Sequence, residues 1–368
     1  MKRSFIREIL EAIDDETISF AGGLPSEKLF PVKDLEKASK KVFKDKKHCQ
    51  YTISGGIKTL RKKIAKFYCE EGFETSFENI LITTGSQQAL YIISRFFESK
   101  DIVIEKPSYL GAVNIFKTNG LNMSAVKLDN DGIDIKEFKK EFKKSKLAYL
   151  IPDFQNPKAS RYSNKKRETI SKFVEKTGGY LIEDAPYSEL YFDKKTESIS
   201  KYIPNNSFHL GSFSKTLVPG LRIGWVRADK SLIDKLTQIK ETIDLHSSSI
   251  TQHILNEYLE NLKSYKKHLN ILRKNYFEKM EFFAKSLEKI IPEFEFERPK
   301  GGMFIYGKLP NKNTKELVYK ALEKKVVYVP GVEFYVDGNI SDEIRFNFSH
   351  SSKKEIKEGL KRLREIYN

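Results

Sequence analysis

The chain has 368 residues, of which 39% are hydrophobic and 12% aromatic, so it is not disordered throughout and is long enough for about two folded domains. Lysine and arginine number 66 and aspartate and glutamate 50, which gives a formal charge of +16 at pH 7. This excess can indicate a nucleic acid or anionic membrane partner, but 53 of the 66 are lysines interleaved with acidic residues along the whole chain, which favours a solvated surface.

Regular alternation of strand and helix patterns begins near residue 80, after a first segment in which Gly22-Gly23-Leu24-Pro25 indicates a turn. Short apolar runs predict strands, and apolar residues at helical spacing predict helices. The predicted strands are residues 80–83, 102–104, 147–151, 180–182 and 223–226. The predicted helices between them are residues 86–97, 133–142 and 165–176. This alternation is typical of a mainly parallel sheet with helices on both faces, on which ligands bind beyond the carboxyl ends of the strands.

The pattern changes after a long amphipathic stretch at residues 231–287. Residues 294–306 and 326–348 have the character of strands in a smaller α+β unit, which a helix over residues 353–366 closes. The first 40 residues can pack on either unit. The sequence therefore predicts an α/β protein with a larger first unit and a smaller C-terminal one.

Signals for membranes, disulfides and metals are missing from the sequence. No segment approaches the roughly 18 apolar residues of a membrane span, and the first residues lack the apolar stretch of a signal peptide. Cys49, Cys69 and the six histidines lack the spacing of a metal site or the partners of a catalytic nucleophile. We therefore expect a cytoplasmic protein with no membrane partner, no metal ion and no structural disulfide.

Polar residues stand where three predicted strands end. Asn156-Pro157 follows the run at 147–151, Asp184 follows the run at 180–182, and Ser212-Phe213-Ser214-Lys215 follows a run at 208–211. Alone, each has an ordinary explanation as a turn, a helix cap or a surface lysine. Because strand ends of a parallel sheet share one edge, we expect the three to meet in one crevice.

Five motifs, taken in order, resemble those of the fold-type I pyridoxal-phosphate (PLP) aminotransferases. They are Thr84-Gly85-Ser86-Gln87-Gln88-Ala89, Asn156-Pro157, Asp184-Ala185-Pro186-Tyr187, Ser212-Phe213-Ser214-Lys215 and Pro219-Gly220-Leu221-Arg222-Ile223-Gly224. Within that family, the stretches at residues 19–25, 85–90 and 299–304 are most similar to the 2-aminoadipate/kynurenine aminotransferase branch. The resemblance runs from about Arg7 to the last predicted helix.

The resemblance implies a fold as well as a chemistry. The implied fold is a fold-type I PLP transferase, with a mainly parallel seven-stranded sheet flanked by helices in the large domain and a smaller α+β C-terminal domain. The implied boundaries are an N-terminal segment of residues 1–40 that packs with the small domain, a large cofactor-binding domain of residues 41–265 and a small domain of residues 266–368. The implied assembly is a homodimer with shared active sites.

PLP stabilises the carbanion left when the α-carbon of an amino acid loses a proton, because its protonated pyridine ring draws in electrons. By resemblance, Asp184 faces the ring nitrogen and favours its protonated form, while Lys215 holds the cofactor as a Schiff base and then moves the proton. Asn156 and Tyr187 would bond the ring hydroxyl oxygen, and Tyr109 would stack on the ring. The implied catalytic residues are thus Lys215, Asp184 and Tyr187.

A phosphate site needs fixed donors and positive charge. A predicted helix opens directly after a strand at Gly85, so its backbone N–H groups and dipole favour an anion there. The residues that the resemblance assigns to the cofactor phosphate are Gly85, Ser86, Gln87, Ser212, Ser214 and Arg222. Tyr51 matches a family tyrosine that reaches the phosphate in the neighbouring subunit, which would make a monomer inactive.

Four residues are assigned to the substrate by resemblance. Arg345 would bind the α-carboxylate in a bidentate fork with help from Asn156, Gly23 would approach the substrate closely, and Arg7 would contact its side chain. The chain has Lys158-Ala159-Ser160-Arg161 where the family commonly has Thr-Gly, which leaves the side-chain specificity open.

The resemblance implies an aminotransferase that moves the amino group of an L-amino acid, of the 2-aminoadipate, aromatic or branched-chain type, to a 2-oxo acid such as 2-oxoglutarate. A PLP-dependent β-lyase is the first alternative, because both reactions start from one carbanion. An aminotransferase-like DNA-binding regulator is the second. Since the resemblance begins near Arg7, which leaves no room for a reader domain of roughly 60 residues, we expect no nucleic acid partner.

Overall fold

The computed structural model describes residues 13–338 and 342–367. Within these residues the strands are β1 (Ile18–Ser19), β2 (Ile80–Thr83), β3 (Asp101–Lys106), β4 (Asn122–Asp129), β5 (Gly132–Ile133), β6 (Leu147–Leu150), β7 (Tyr180–Asp184), β8 (Ser207–Ser212), β9 (Gly224–Arg227), β10 (Glu295–Phe296), β11 (Phe304–Lys308), β12 (Val326–Val327), β13 (Val329–Pro330) and β14 (Glu343–Asn347).

The α-helices of the same residues cover the faces of the sheets. They are α1 (Val32–Val42), α2 (Lys58–Glu70), α3 (Ser86–Phe96), α4 (Leu110–Thr118), α5 (Ile135–Ser145), α6 (Asn164–Thr177), α7 (Lys230–Glu241), α8 (Ser249–Tyr258), α9 (Leu262–Ile290), α10 (Thr314–Glu323) and α11 (Lys353–Tyr367). None of these helices is long and apolar enough to cross a membrane.

A large sheet lies at the centre of the first unit, and its strand order is β2-β9-β8-β7-β6-β3-β4-β5. The pairings of β3 with β4 and β6, of β6 with β7 and of β7 with β8 are parallel, whereas β9 runs antiparallel to both of its neighbours. The mainly parallel sheet that we predicted is confirmed. Among the described residues it has eight strands rather than seven, because the two-residue β5 pairs with the end of β4.

The central strands form because their residues are apolar on both faces. All four residues of the central strand β6 are buried, as are the four of the edge strand β2, and α3 buries Ala89, Leu90, Ile92 and Ile93 against the sheet. Continuous apolar runs of this kind are typical of parallel strands with helices on both faces. The strand ends are thereby held rigidly, and the loops that follow them can place side chains with precision.

Two predicted elements differ from the structure. Residue Ile133 belongs to β5, and helix α5 starts two residues later because the Asp134 side chain accepts from the Glu137 N–H at 2.7 Å. The amphipathic stretch at 231–287 is divided into α7, α8 and α9, since Ser248 and Asn261 cap new helices. Amphipathic periodicity alone carries no signal for such interruptions.

The smaller sheet has the order β10-β11-β14-β13 and is antiparallel. Strand β1 pairs in parallel with β12, so residues near Ile18 contact the C-terminal unit. Helix α9 runs through residue 265, where the sequence predicted a domain boundary. The three-part division of the chain stays a prediction.

Candidate active site

The carboxyl ends of β6, β7 and β8 open onto one crevice, as the strand-end argument predicted, and the carboxyl end of β2 lies at the same edge of the sheet. Gly85 follows β2, Asp184 is the last residue of β7, and Lys215 comes three residues after β8. The charges of Asp184, Arg222 and Arg345 all act on the Lys215 amine. The structure therefore brings together residues that are up to 260 positions apart in the chain.

The Lys215 amine lies at the centre of this crevice. Its Nζ donates to the Gly23 carbonyl oxygen at 2.7 Å, and a Cβ on Gly23 would lie 3.6 Å from Nζ. Burial, aided by the charges of Arg345 and Arg222 and opposed by Asp184, lowers the pKa of Lys215 to about 8. An amine that releases its proton near neutral pH can act as a nucleophile and as a base.

Asp184 is a buried carboxyl with one bonded and one unbonded oxygen. The Tyr149 hydroxyl donates to Oδ2 at 2.8 Å, whereas Oδ1 is buried and has no hydrogen-bond partner among the described residues. Burial raises the pKa of Asp184 to about 7, although the Tyr149 hydrogen bond and the Lys215 charge act in the opposite direction. Such a buried, unbonded oxygen is suited to a cationic N–H of a bound ligand.

Sequence reasoning missed Tyr149. It lies in the apolar strand β6, next to β7, and its position reads as ordinary core. A buried tyrosine hydroxyl usually has a hydrogen-bond partner. The signal in the sequence was therefore a tyrosine in one predicted strand and a carboxylate at the end of the next. Only the register that sets Tyr149 opposite Ile182 shows that Asp184 is that partner.

A chain of hydrogen bonds links Arg345 to Asn156 and Tyr187. The Arg345 guanidinium donates from Nη1 to Asn156 Oδ1 at 2.7 Å, and Asn156 Nδ2 donates to the Tyr187 hydroxyl at 3.3 Å. Arg345 also donates from Nη2 to the Ala21 carbonyl, while its buried Nε has no partner among the described residues. The substrate-binding and ring-binding residues predicted from the sequence are therefore neighbours.

Arg345 is a buried cation without a carboxylate partner. It is 3% exposed, and no ion pair of the described residues includes it. The Phe304 and Phe334 rings lie 4.2 and 4.9 Å from its Cζ, and burial lowers its pKa to about 10. It is thus charged at neutral pH, and an anion that enters the crevice offsets the unfavourable burial of that charge.

A second group of residues suited to an anion lies where helix α3 begins. Gly85 has φ +78° and precedes the first turn, and a Cβ at this position would lie 2.5 Å from Arg222 Nη2. Arg222 donates to Ser214 Oγ and to the Thr84 carbonyl, each at 3.4 Å, and the Ser214 N–H donates to Ser212 Oγ at 3.1 Å. Helix N–H groups, hydroxyls and a guanidinium together suit a phosphate.

The other predicted site residues lie around this centre. Ser86 is partly buried and Gln87 exposed in the first turn of α3, while Tyr109 precedes α4 with its ring against Gly111 and interacts electrostatically with Tyr187 and Arg345. Tyr51 is 78% exposed, and its ring lies 5.7 Å from that of His246. Arg7 lies outside the described residues. The described residues hold no cluster of three or more metal-ligating side chains.

The sequence model of the family "Aminotransferase class I and II" matches residues 18–363. This chain belongs to that family. It is 35% identical to aromatic-amino-acid aminotransferase 1 of Thermococcus litoralis, over 99% of this chain and 91% of that protein. It is 29% identical to the uncharacterized HTH-type transcriptional regulator YdfD of Bacillus subtilis, over 97% of this chain but 76% of the regulator.

Among solved structures, the α-aminoadipate aminotransferase LysN of Thermus thermophilus, complexed with N-(5'-phosphopyridoxyl)-L-leucine, superposes on this aminotransferase with a TM-score of 0.92. It is 32% identical, and the match covers all of this chain and 95% of LysN. The predicted fold-type I architecture, the PLP cofactor and the aminotransferase activity are thereby confirmed. The 2-aminoadipate/kynurenine branch is confirmed as well.

The geometry of this chain fits PLP at three points. The unbonded Asp184 Oδ1 suits a protonated ring nitrogen, and the cradle at Gly85 and Arg222 suits a phosphate. The Lys215 amine, with its lowered pKa, suits the cofactor's aldehyde. Of these groups, Asp184 Oδ1 is buried and has no hydrogen-bond partner among the described residues, whereas the Lys215 amine and Arg222 donate to neighbouring oxygens.

Proposed function

We propose that this PLP-dependent aminotransferase takes L-amino acids with large side chains, of the 2-aminoadipate, aromatic or branched-chain type, as donors and 2-oxoglutarate as acceptor. The aromatic Phe304 and Phe334 beside Arg345 support this donor class. Two relatives also support it, since one is named an aromatic-amino-acid aminotransferase and the other a 2-aminoadipate transaminase. The observation that carries the proposal is the buried Arg345 cation, which has no carboxylate partner among the described residues and whose charge acts on the half-buried Lys215 amine.

The proposed residue roles follow from the contacts. When bound, PLP supplies an electron sink that lets the substrate α-carbon release a proton. Lys215 takes that proton and returns it, which its lowered pKa favours. Asp184 keeps a proton on the ring nitrogen by charge pairing, and Tyr149 holds the carboxylate in place. Asn156 and Tyr187, which are hydrogen-bonded to each other, would hold the ring hydroxyl oxygen.

The remaining roles concern binding and orientation. We assign the α-carboxylate of the substrate to the Arg345 guanidinium, with Asn156 as its neighbour. The helix start at Gly85 binds the phosphate together with the donors that surround it, which are Ser86, Gln87, Ser212, Ser214 and Arg222. Tyr109 would stack on the ring, and Gly23 lines the substrate side of Lys215. The assignment of Arg7, which lies outside the described residues, to the substrate side chain stays a prediction.

The donor assignment is tested by steady-state kinetics of the PLP-loaded protein with 2-oxoglutarate. We expect kcat/KM for 2-aminoadipate, phenylalanine or leucine to exceed that for alanine or aspartate at least tenfold, about 1.4 kcal/mol of transition-state binding. A preference for alanine or aspartate would contradict the proposal. Release of ammonia and a 2-oxo acid without any acceptor would favour the β-lyase instead.

We further propose a homodimer in which Tyr51 reaches the phosphate of the partner's site. Tyr51 packs against His246. Tyr51 itself and the apolar residues Ile53, Ile243 and Leu245, which lie beside these two residues in the chain, are 43 to 78% exposed. Exposed patches of this kind are typical of subunit interfaces. The cytoplasmic location and the absence of nucleic acid and membrane partners stay predictions.

Mixing two inactive variants tests the shared site. If Tyr51 acts in trans, a hybrid of Lys215→Ala and Tyr51→Ala subunits contains one complete site, and random mixing restores about a quarter of the wild-type activity. If Tyr51 acts in its own subunit, no hybrid contains a complete site and the activity stays at that of the separate variants. A monomeric mass in solution would contradict the dimer directly.

A further inference from the structure

Asp244 lies just after helix α7 and does not belong to any predicted motif. We propose that it is a positioning residue, which fixes the loop Thr84–Ser86 at the start of α3 and thereby sets the affinity for the phosphate end of the cofactor. The inference rests on the phosphate site of the proposed function. It adds a residue that contacts the loop from behind rather than the cofactor itself.

The contacts between Asp244 and the loop pass through Gln88. The Thr84 N–H donates to Gln88 Oε1 at 2.8 Å, and Gln88 Nε2 donates to Asp244 Oδ2 at 2.8 Å. The Thr84 hydroxyl lies 3.5 Å from the same carboxylate oxygen and 3.1 Å from Ser247 Oγ. Because both ends of the Gln88 amide are bonded, its orientation is fixed and the backbone at Thr84 is held with it.

Lys240 completes the cluster. Its side chain is fully buried, and its Nζ pairs with Asp244 Oδ1 one helical turn further along the chain. No other hydrogen bond or ion pair of the Lys240 ammonium occurs among the described residues. Asp244 therefore neutralises a buried ammonium with one oxygen and holds Gln88 with the other, and its replacement disturbs both contacts.

A carboxylate near a phosphate site calls for a reason, because its charge opposes the binding of an anion. Here the Lys240 ammonium compensates that charge, so that the pair as a whole is neutral. What the loop gains is order. Gly85 has φ +78°, one of many conformations that an unrestrained glycine samples, so fixing it on ligand binding costs conformational entropy. A loop that is already held in this conformation binds its ligand without that cost.

The test compares PLP with pyridoxal, which has the same ring and aldehyde but no phosphate. Cofactor-free wild-type and Asp244→Asn proteins are titrated with each compound and with inorganic phosphate, and binding is followed by absorbance and calorimetry. We expect Asp244→Asn to weaken PLP and inorganic phosphate about tenfold and to leave pyridoxal unchanged. Gln88→Ala, which spares the Lys240–Asp244 pair, should give the same phosphate-specific loss.

Asp234→Asn is the matched control. Asp234 pairs with Lys230 at 2.7 Å, likewise four residues apart, but within helix α7. Both side chains are more than half exposed, and no hydrogen bond of the described residues joins the pair to the loop. It should change neither affinity. An equal loss for PLP and pyridoxal in both Asp244→Asn and Gln88→Ala would overturn the inference, since it would show a general structural role.

Unchanged PLP affinity in both variants would overturn the inference as well, while leaving the phosphate site itself intact. A wild-type protein that binds pyridoxal as tightly as PLP would show a different failure. In that case the proposed phosphate site at Gly85 is wrong, and the role of Asp244 falls with it. The wild-type comparison therefore separates the two claims before any variant is measured.

Discussion

Asp184→Asn should stabilise the cofactor-free protein at neutral pH while it abolishes transamination. The Asp184 side chain is 2% exposed, and its Oδ1 has no partner among the described residues. An amide of the same shape can still accept from the Tyr149 hydroxyl, but it carries no charge into the crevice. The functional loss has a separate cause, because an amide cannot keep a proton on a pyridine nitrogen by charge pairing.

The size of the effect follows from the pKa of Asp184. Burial raises it from 3.8 to about 7, which corresponds to about 4 kcal/mol at about 1.4 kcal/mol per pH unit. Between pH 4 and pH 7 the folded chain holds one proton more than the unfolded chain, so its free energy of unfolding falls as the pH rises. The advantage of Asp184→Asn should therefore be near zero at pH 4, grow up to pH 7 and stay constant above it.

Urea unfolding of the cofactor-free proteins, followed by the fluorescence of the single Trp225, measures this difference from pH 4 to pH 8. The exposed Asp234→Asn variant serves as the control and should show a much smaller, nearly pH-independent difference. The reasoning would be refuted if Asp184→Asn were less stable than the wild type at pH 8. It would also be refuted if the difference did not change between pH 4 and pH 7.

Three further substitutions have distinct expected outcomes. Lys215→Ala should lower turnover by about 10⁴-fold or more. It should still bind PLP within about tenfold of the wild type in equilibrium dialysis, because the phosphate and ring contacts are kept. Complete loss of binding would mean that those contacts are misplaced. Arg345→Lys should raise KM for amino-acid donors about 10- to 100-fold, since a lysine cannot form the bidentate fork, and an equal effect on an amine without a carboxylate would argue against carboxylate binding. Tyr149→Phe removes a hydrogen bond that lowers the pKa of Asp184, so that pKa rises in the variant. The acidic limb of the pH profile of kcat/KM should therefore move up by about one pH unit. An unmoved limb would exclude Asp184 as the group that titrates there.

The parts of the site that could be predicted are those encoded locally. Asp184 follows an apolar run, Gly85 stands between a strand and a helix, and parallel strands bring such ends together whatever the details of packing. The roles of these residues came from the order of five motifs. Neither argument needs a side-chain contact, which is why both work from the sequence alone.

The parts that could not be predicted depend on contacts between distant segments. Lys215 and Gly23 are 192 positions apart, and Arg345 and Asn156 are 189 apart. Asp244 has no local signal either, because a lysine four residues before an aspartate is typical of any solvated helix. Its burial partner and its link to Gln88 appear only when α7 is packed against α3.

The net charge of +16 can now be divided into two kinds of cation. Surface pairs such as Lys40–Glu36 and Lys172–Glu168 are exposed on both sides and contribute little to stability. Lys215 is half-buried and Arg345 is buried, and neither has a carboxylate in hydrogen-bond contact among the described residues. Burial lowers the pKa of both. Burial likewise opposes ionisation of Asp184. The folded chain thus holds three side chains whose burial destabilises it. The anionic and cationic groups of the ligands offset that cost when they bind. Ligand binding and folding stability are therefore coupled through the same three side chains.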